Sequence, residues 1–171
     1  MRLRVLFSFL IVPVLAAGLL AACAAHAPWA MSPHDFAQNA WTGNKFEILS
    51  SELAEKRATK GEIRRFAAKM VKDHTATEQD LRVVLSHGDV PYVYDRLDDH
   101  YRGLLADLKA AHGKLFDQKY LAAQVEAHDE ATGLFRAYAG SGTHHGLRKF
   151  AQRTLPTLEH HQDRAHALAT H

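Results

Sequence analysis

Between Ser32 and Ala58 the residues Phe36, Ala40, Phe46, Leu49, Leu53 and Ala54 fall on one broad side at helical spacing, which predicts an amphipathic helix. Ser32-Pro33 supplies a cap followed by a proline in the first turn, where its missing amide costs nothing. Thr59-Lys-Gly-Glu62 reads as a capping box for a second helix, each side chain answering the other residue's free amide. That helix has the cleanest stripe, Ile63, Phe66, Ala67, Met70, Val71 and His74, with Leu81 two turns on. Gly88 and Pro91 end it. A shorter amphipathic segment runs from about Leu97 to Ala111 and is interrupted by Gly113. A third long helix restarts near Asp117, a plausible cap, and aligns Tyr120, Leu121, Gln124, Val125, His128, Thr132 and Phe135 until Gly140-Ser-Gly142 stops it. A fourth starts between Thr143 and Gly146 and aligns Leu147, Phe150, Ala151, Thr154, Leu158, His161, Ala165 and Leu168. Pro156 inside it predicts a kink, because proline removes one amide and clashes with the carbonyl of Gln152. No useful stretch alternates with period two. The chain therefore reads as all-α: two antiparallel helical hairpins forming a four-helix bundle, with a short additional helix between them.

Each long helix carries one titratable side chain where its pattern asks for an apolar one: Glu47, His74, His128 and His161. At a rise of about 1.5 Å per residue, Glu47 and His74 lie roughly 18 and 22 Å from the turn near Thr59. His128 and His161 lie roughly 17 and 22 Å from their own turn. All four thus sit near mid-bundle and meet if the hairpins pack side by side. Two explanations compete. In one, the groups satisfy each other with Thr77, Thr132, Tyr120 or Gln124 as helpers, fixing helix register at little gain in stability. In the other, three imidazoles and a carboxylate enclose a single zinc, copper or iron ion. A lone buried histidine is more often structural than a ligand; four convergent groups shift the balance.

Glu47, the segment Phe66-Ala67 through Met70-Val71-Lys72-Asp73-His74, Phe116-Asp117 through Tyr120 and Gln124 to His128, and Leu155-Pro156-Thr157-Leu158 through His161 together resemble the bacterial domain of unknown function 4142 family. Its members are exported helical proteins, many labelled as outer membrane proteins. The resemblance spans about Asp35 to Ala169 and implies a ferritin-like bundle, without implying a reaction. Di-iron bundles need a Glu on each of two helices and Glu-x-x-His on the other two. Here Val71 stands three before His74 and Leu158 three before His161. One inward carboxylate cannot bridge and neutralise two irons, so di-iron chemistry is set aside. Glu78, one turn beyond His74, is a candidate second carboxylate whose plainer reading is a solvated face residue.

The first residues change the picture by adding an address. Met-Arg-Leu-Arg is followed by an apolar run from Val5 to Leu20 and then by Leu20-Ala-Ala-Cys23. The run is too short for a confident spanning helix, which needs roughly 20 residues, and has the three parts of a signal peptide. Leu-Ala-Ala-Cys resembles a bacterial lipobox, which makes residues 1–22 the cleaved signal, Cys23 the lipidation site, 23–33 a tether and 34–170 the bundle domain. Ala24 after the cysteine favours the outer membrane, with the domain in the periplasm and its membrane contact made through the lipid. The alternative is ordinary cleavage after Ala27, which Pro28 disfavours.

Cys23 is the chain's single cysteine, so no intramolecular disulfide forms and the core must hold the fold. Lys and Arg number 21 and Asp and Glu 19; loss of Arg2 and Arg4 on export brings the two into balance, and no basic run remains for nucleic acid. Histidine is abundant, 13 in 171 residues, but His87, His100, His112 and His166 occupy loops or polar faces. There is no nucleophile elbow and no phosphate loop. The residues therefore describe a non-catalytic envelope lipoprotein, stress-related in one reading, with an internal Glu47, His74, His128 and His161 cluster. The alternative is a metal-binding or metal-dependent redox protein built on the same four.

Overall fold

The computed structural model describes residues 31–170; the expected signal peptide, Cys23 and most of the tether lie outside them. The described residues form α1 (Pro33–Arg57), α2 (Gly61–Leu85), α3 (Asp99–Ala110), α4 (Gly113–Ser141) and α5 (His145–Ala169), with no strand among them. α1 and α2 pair as one antiparallel hairpin and α4 and α5 as the other; α4 lies against α1, α5 lies against α2, and the short α3 packs across α1 and α4. α1 and α4 run in opposite directions. Phe36 near the start of α1 stacks on Tyr138 near the end of α4 at 4.0 Å, while Ser51 and Tyr120, nearer the other end, share a 2.9 Å hydroxyl hydrogen bond.

Helix boundaries follow local chemistry, with one exchange of roles. Ser32 caps α1 as its sequence suggests, its Oγ accepting from the Asp35 amide at 3.0 Å, with Pro33 opening the helix. The capping box at Thr59 to Glu62 does not form: Lys60 is the N-cap of α2, with no side-chain cap bond. The Thr59 amide donates instead to Asp117 Oδ1 at 2.9 Å, the Thr59 hydroxyl to Asp117 Oδ2, and the Lys60 amide to Oδ2 at 3.3 Å. Asp117 is thus not the cap of its own helix, which begins at Gly113. A carboxylate with several lone pairs, brought across the bundle by α4, takes over the donors the box would have served. Gly113 does not merely interrupt; at φ +58° it makes the left-handed turn from α3 into α4, a conformation that costs glycine little. α5 remains helical on both sides of Pro156.

Polar side chains divide the core into two apolar clusters. One gathers Phe46, Phe66, Met70, Phe116, Tyr120 and Ala165 with the inner face of α3. The other gathers Phe36, Leu81, Phe135, Tyr138, Phe150 and Leu158. The gap between them contains the buried polar residues Asn44, Glu47, His74, His128 and His161. Aromatic packing lies on both sides of this polar layer, which sits buried at mid-bundle.

Candidate metal centre

His74 comes from α2, His128 from α4 and His161 from α5, each on its helix's buried stripe and no more than 3% exposed. Their ring centroids form a nearly equilateral triangle, with sides of 5.6, 5.5 and 5.5 Å. Each ring offers one nitrogen to a set whose members lie within 4.8 Å of one another. Three helices meeting at one height produce the triangle.

Neighbouring acceptors fix the tautomers. The Asn44 Nδ2 donates to the backbone carbonyl of His74 at 3.0 Å, which leaves Asn44 Oδ1, 2.8 Å from His74 Nδ1, only the acceptor role. His74 Nδ1 therefore holds the proton. His128 Nδ1 lies 2.9 Å from the Gln124 carbonyl and must donate to it. His161 Nε2 donates to Asp73 Oδ2 at 2.9 Å, and Lys69 holds that same oxygen at 2.6 Å. The nitrogens left over are Nε2 of His74, Nε2 of His128 and Nδ1 of His161, all buried and none with a hydrogen-bond partner. A neutral imidazole carries its lone pair on the nitrogen without the proton, so three lone pairs face an interior with nothing to accept. Each orphaned buried polar atom costs about 1–3 kcal/mol. A histidine whose second nitrogen donates to a carbonyl or carboxylate is also the usual arrangement around a metal.

Electrostatics keep the rings in the ligating form. Burial pushes His74 well below the usual histidine range, helped by its two histidine neighbours. His128 is pushed down to about 4, again by burial, with the Gln124 carbonyl opposing. Burial also lowers His161, although Asp73 pulls it back up. Partial burial would raise Asp73, but hydrogen bonds from Lys69 and His161 bring it below its ordinary value and keep it anionic.

Glu47 stands one layer behind the triangle. Its Oε2 accepts from Gln124 Nε2 at 2.7 Å, and its Oε1 lies 3.5 Å from His128 Nδ1, the proton-bearing side of that ring. Oε1 has no hydrogen-bond partner. Burial raises the carboxyl to about 8 against the Gln124 hydrogen bond, so in the metal-free protein it holds its proton at pH 7. The structure thus brings the three histidines together at one point and puts Glu47 behind His128 rather than beside it.

Of the expected helpers only Gln124 joins the network. Thr77 and Thr132 donate to the carbonyls of Asp73 and Asp129, and Tyr120 bonds Ser51. Glu78 pairs with Arg82 on the surface. Two functional residues are new. Asn44 continues the Phe36, Ala40, Asn44, Glu47 line on α1, so its inward position was legible; Asp73 lies beside the stripe, and only the approach of α5 gives it His161.

Fold and site together define a helical bundle with a buried three-histidine pocket. The chain belongs to the family described as "Domain of unknown function (DUF4142)", whose model matches residues 19–168. No curated protein matches the sequence significantly. Among solved structures it is similar to the crystal structure of the DUF305 protein of Streptomyces coelicolor, a protein taken to be secreted. The TM-score is 0.63 and the identity 17%, over 76% of this chain and 85% of that one. At that identity the likeness shows the fold alone.

Proposed function

We propose that this protein is an exported metal-binding protein that holds one transition-metal ion between His74, His128 and His161. The observation that carries it is the pattern of protons. Had the cluster been a self-satisfying polar network, the rings would donate to one another. Instead each ring bonds outward and leaves its lone pair inward and unpaired. A single cation answers all three lone pairs at once. Three imidazoles without thiolate or thioether suit zinc, copper(II) or iron(II). Asp73 supplies one compensating negative charge behind His161, and Glu47 supplies a second if the bound cation draws off its proton. The donor set lacks the bridging carboxylates of a di-iron site, so the reading is one ion with a coordination position left over.

The N-terminal signal pattern ending at Cys23 supports export, as does the fold likeness to a protein taken to be secreted. In this reading a lipid on Cys23 tethers the domain to the outer membrane; no helix among the described residues is long and apolar enough to cross a membrane. The test is metal analysis and cobalt(II) titration of the untagged chain from Pro28 onward. One equivalent of metal, lost in His74→Ala and His161→Ala, is the expected result. A protein that takes up no metal, and that His74→Ala stabilises by removing an orphaned imidazole, would end the proposal.

A further inference from the structure

A cavity of about 310 Å³ reaches from His74 and His128, two of the three histidines, out to the exposed Glu130. Its floor includes His74, His128 and Glu47; its outer wall includes Asp98, Tyr101 and Glu130. It runs along the seam between α1 and α4, where α3 lies across both. The exposed Glu130 belongs at the same time to a second cluster, since His100, Glu126 and Glu130 each offer a ligand atom within 4.8 Å of the others. His100 Nε2 is 3.1 Å from Glu126 Oε1, and Tyr101 Oη donates to Glu130 Oε2 at 3.1 Å. Glu126 and Glu130 stand one turn apart on the outer side of α4, two residues either side of His128, so a single turn of helix presents carboxylates outward and an imidazole inward.

Acidic residues on a surface are common and by themselves mean nothing. What distinguishes this group is that Glu130 lines the cavity, whose far end holds buried polar atoms. There the Nε2 atoms of His74 and His128 are buried and without partners, two free acceptors pointing to a cation. The geometry points to His100, Glu126 and Glu130 as a capture site for a divalent cation, from which the ion passes along this cavity to the buried histidines. The inference rests on the metal reading above and adds the route. The physical reason is that a hydrated divalent ion must exchange water for protein ligands before the buried histidines can hold it. Carboxylates at the mouth replace that water stepwise and concentrate the ion, since charge at the rim of a low-dielectric cleft raises local cation concentration and association rates. Tyr101, 7% exposed and bonded to Glu130, sits where the capture group adjoins the cavity.

A loading route alters rates, not the final equilibrium. The experiment is stopped-flow cobalt(II) binding to the untagged mature chain, followed by the visible absorption of the bound ion, with chelator-driven release measured on the same samples. The double variant Glu126→Gln, Glu130→Gln should load about 10-fold more slowly. It should also release more slowly by a similar factor, leaving Kd within about twofold. Asn39→Trp, at an exposed position of α1 that lines the cavity, adds bulk without changing charge and should slow both directions as well. Unchanged loading in both variants overturns the route. So does slower loading with unchanged release, because that is a loss of surface charge and not of a path. If wild-type protein shows no cobalt binding at equilibrium, the metal reading itself has failed; normal equilibrium binding with indifferent kinetics sinks only the route.

Discussion

Replacing Glu47 by glutamine should make the metal-free protein more stable above neutral pH and its metal site weaker. In the folded protein the carboxyl is raised from 4.5 to about 8 by burial. In the unfolded chain it ionises near its ordinary value. Because the folded value is the higher, the proton contributes stability that is complete below pH 4.5 and is lost as pH climbs through 8. At 1.36 kcal/mol per unit of difference, the loss is about 3 kcal/mol at pH 7 and approaches 5 kcal/mol above pH 8. Glutamine has nothing to ionise, and its carbonyl can still accept from Gln124 Nε2. Urea denaturation of chelator-treated protein at pH 5, 6.5 and 8 should therefore show wild type weakening on the alkaline side and Glu47→Gln not. The variant should be the more stable by about 3–5 kcal/mol at pH 8. Cobalt titration of the same samples should give the opposite sign, an affinity lower by about 10–100-fold, the usual cost of removing a group behind a ligand. Parallel pH profiles in the two proteins would refute the buried, proton-holding carboxyl; equal cobalt affinity would refute its service to the metal.

Three further outcomes follow from the same geometry. Between pH 6.5 and 4 the metal-free Glu47→Gln variant, which lacks the opposing gain from the carboxyl, should lose stability, because a folded value of about 4 for His128 means that its contribution is present above 6.5 and lost as pH falls through 4. The size is about 3 kcal/mol for that ring alone, and a thermal midpoint that stays level over this range would contradict it. Asn44→Ala removes two buried hydrogen bonds to His74; it should cost about 2–3 kcal/mol in denaturant and lower cobalt affinity by about 10–100-fold, and unaltered affinity would show that the Nδ1 proton needs no fixing. Asp117→Ala strips three donors at the α1–α2 turn of their acceptor; it should cost about 2–4 kcal/mol yet leave metal affinity within twofold, and a change in affinity would mean that the site feels the bundle end.

Helical periodicity alone was enough to place four long helices, their pairing into hairpins and one polar residue at mid-height on each, because burial on one face leaves a repeat in the residues themselves. It even indicated that the histidines would be near one another, since helical rise converts residue counts into height. Local signals at the helix ends were weaker guides. The Thr59 to Glu62 segment has every residue of a capping box, but Asp117, distant in sequence, approaches the turn and supplies a better acceptor.

What no spacing along one helix could decide is the direction each ring faces and which of its nitrogens holds a proton. Those depend on acceptors delivered by other segments: the Asn44 amide from α1 to His74 and the Asp73 carboxylate from α2 to His161. The same limit explains Glu47, whose buried position was legible but whose place behind His128 was set by the contact of α1 with α4. A sequence fixes what each helix turns inward, because side-chain direction repeats every 3.6 residues. Only packing between helices fixes which lone pairs remain unanswered, because a hydrogen bond is a distance and an angle between residues the chain has carried far apart.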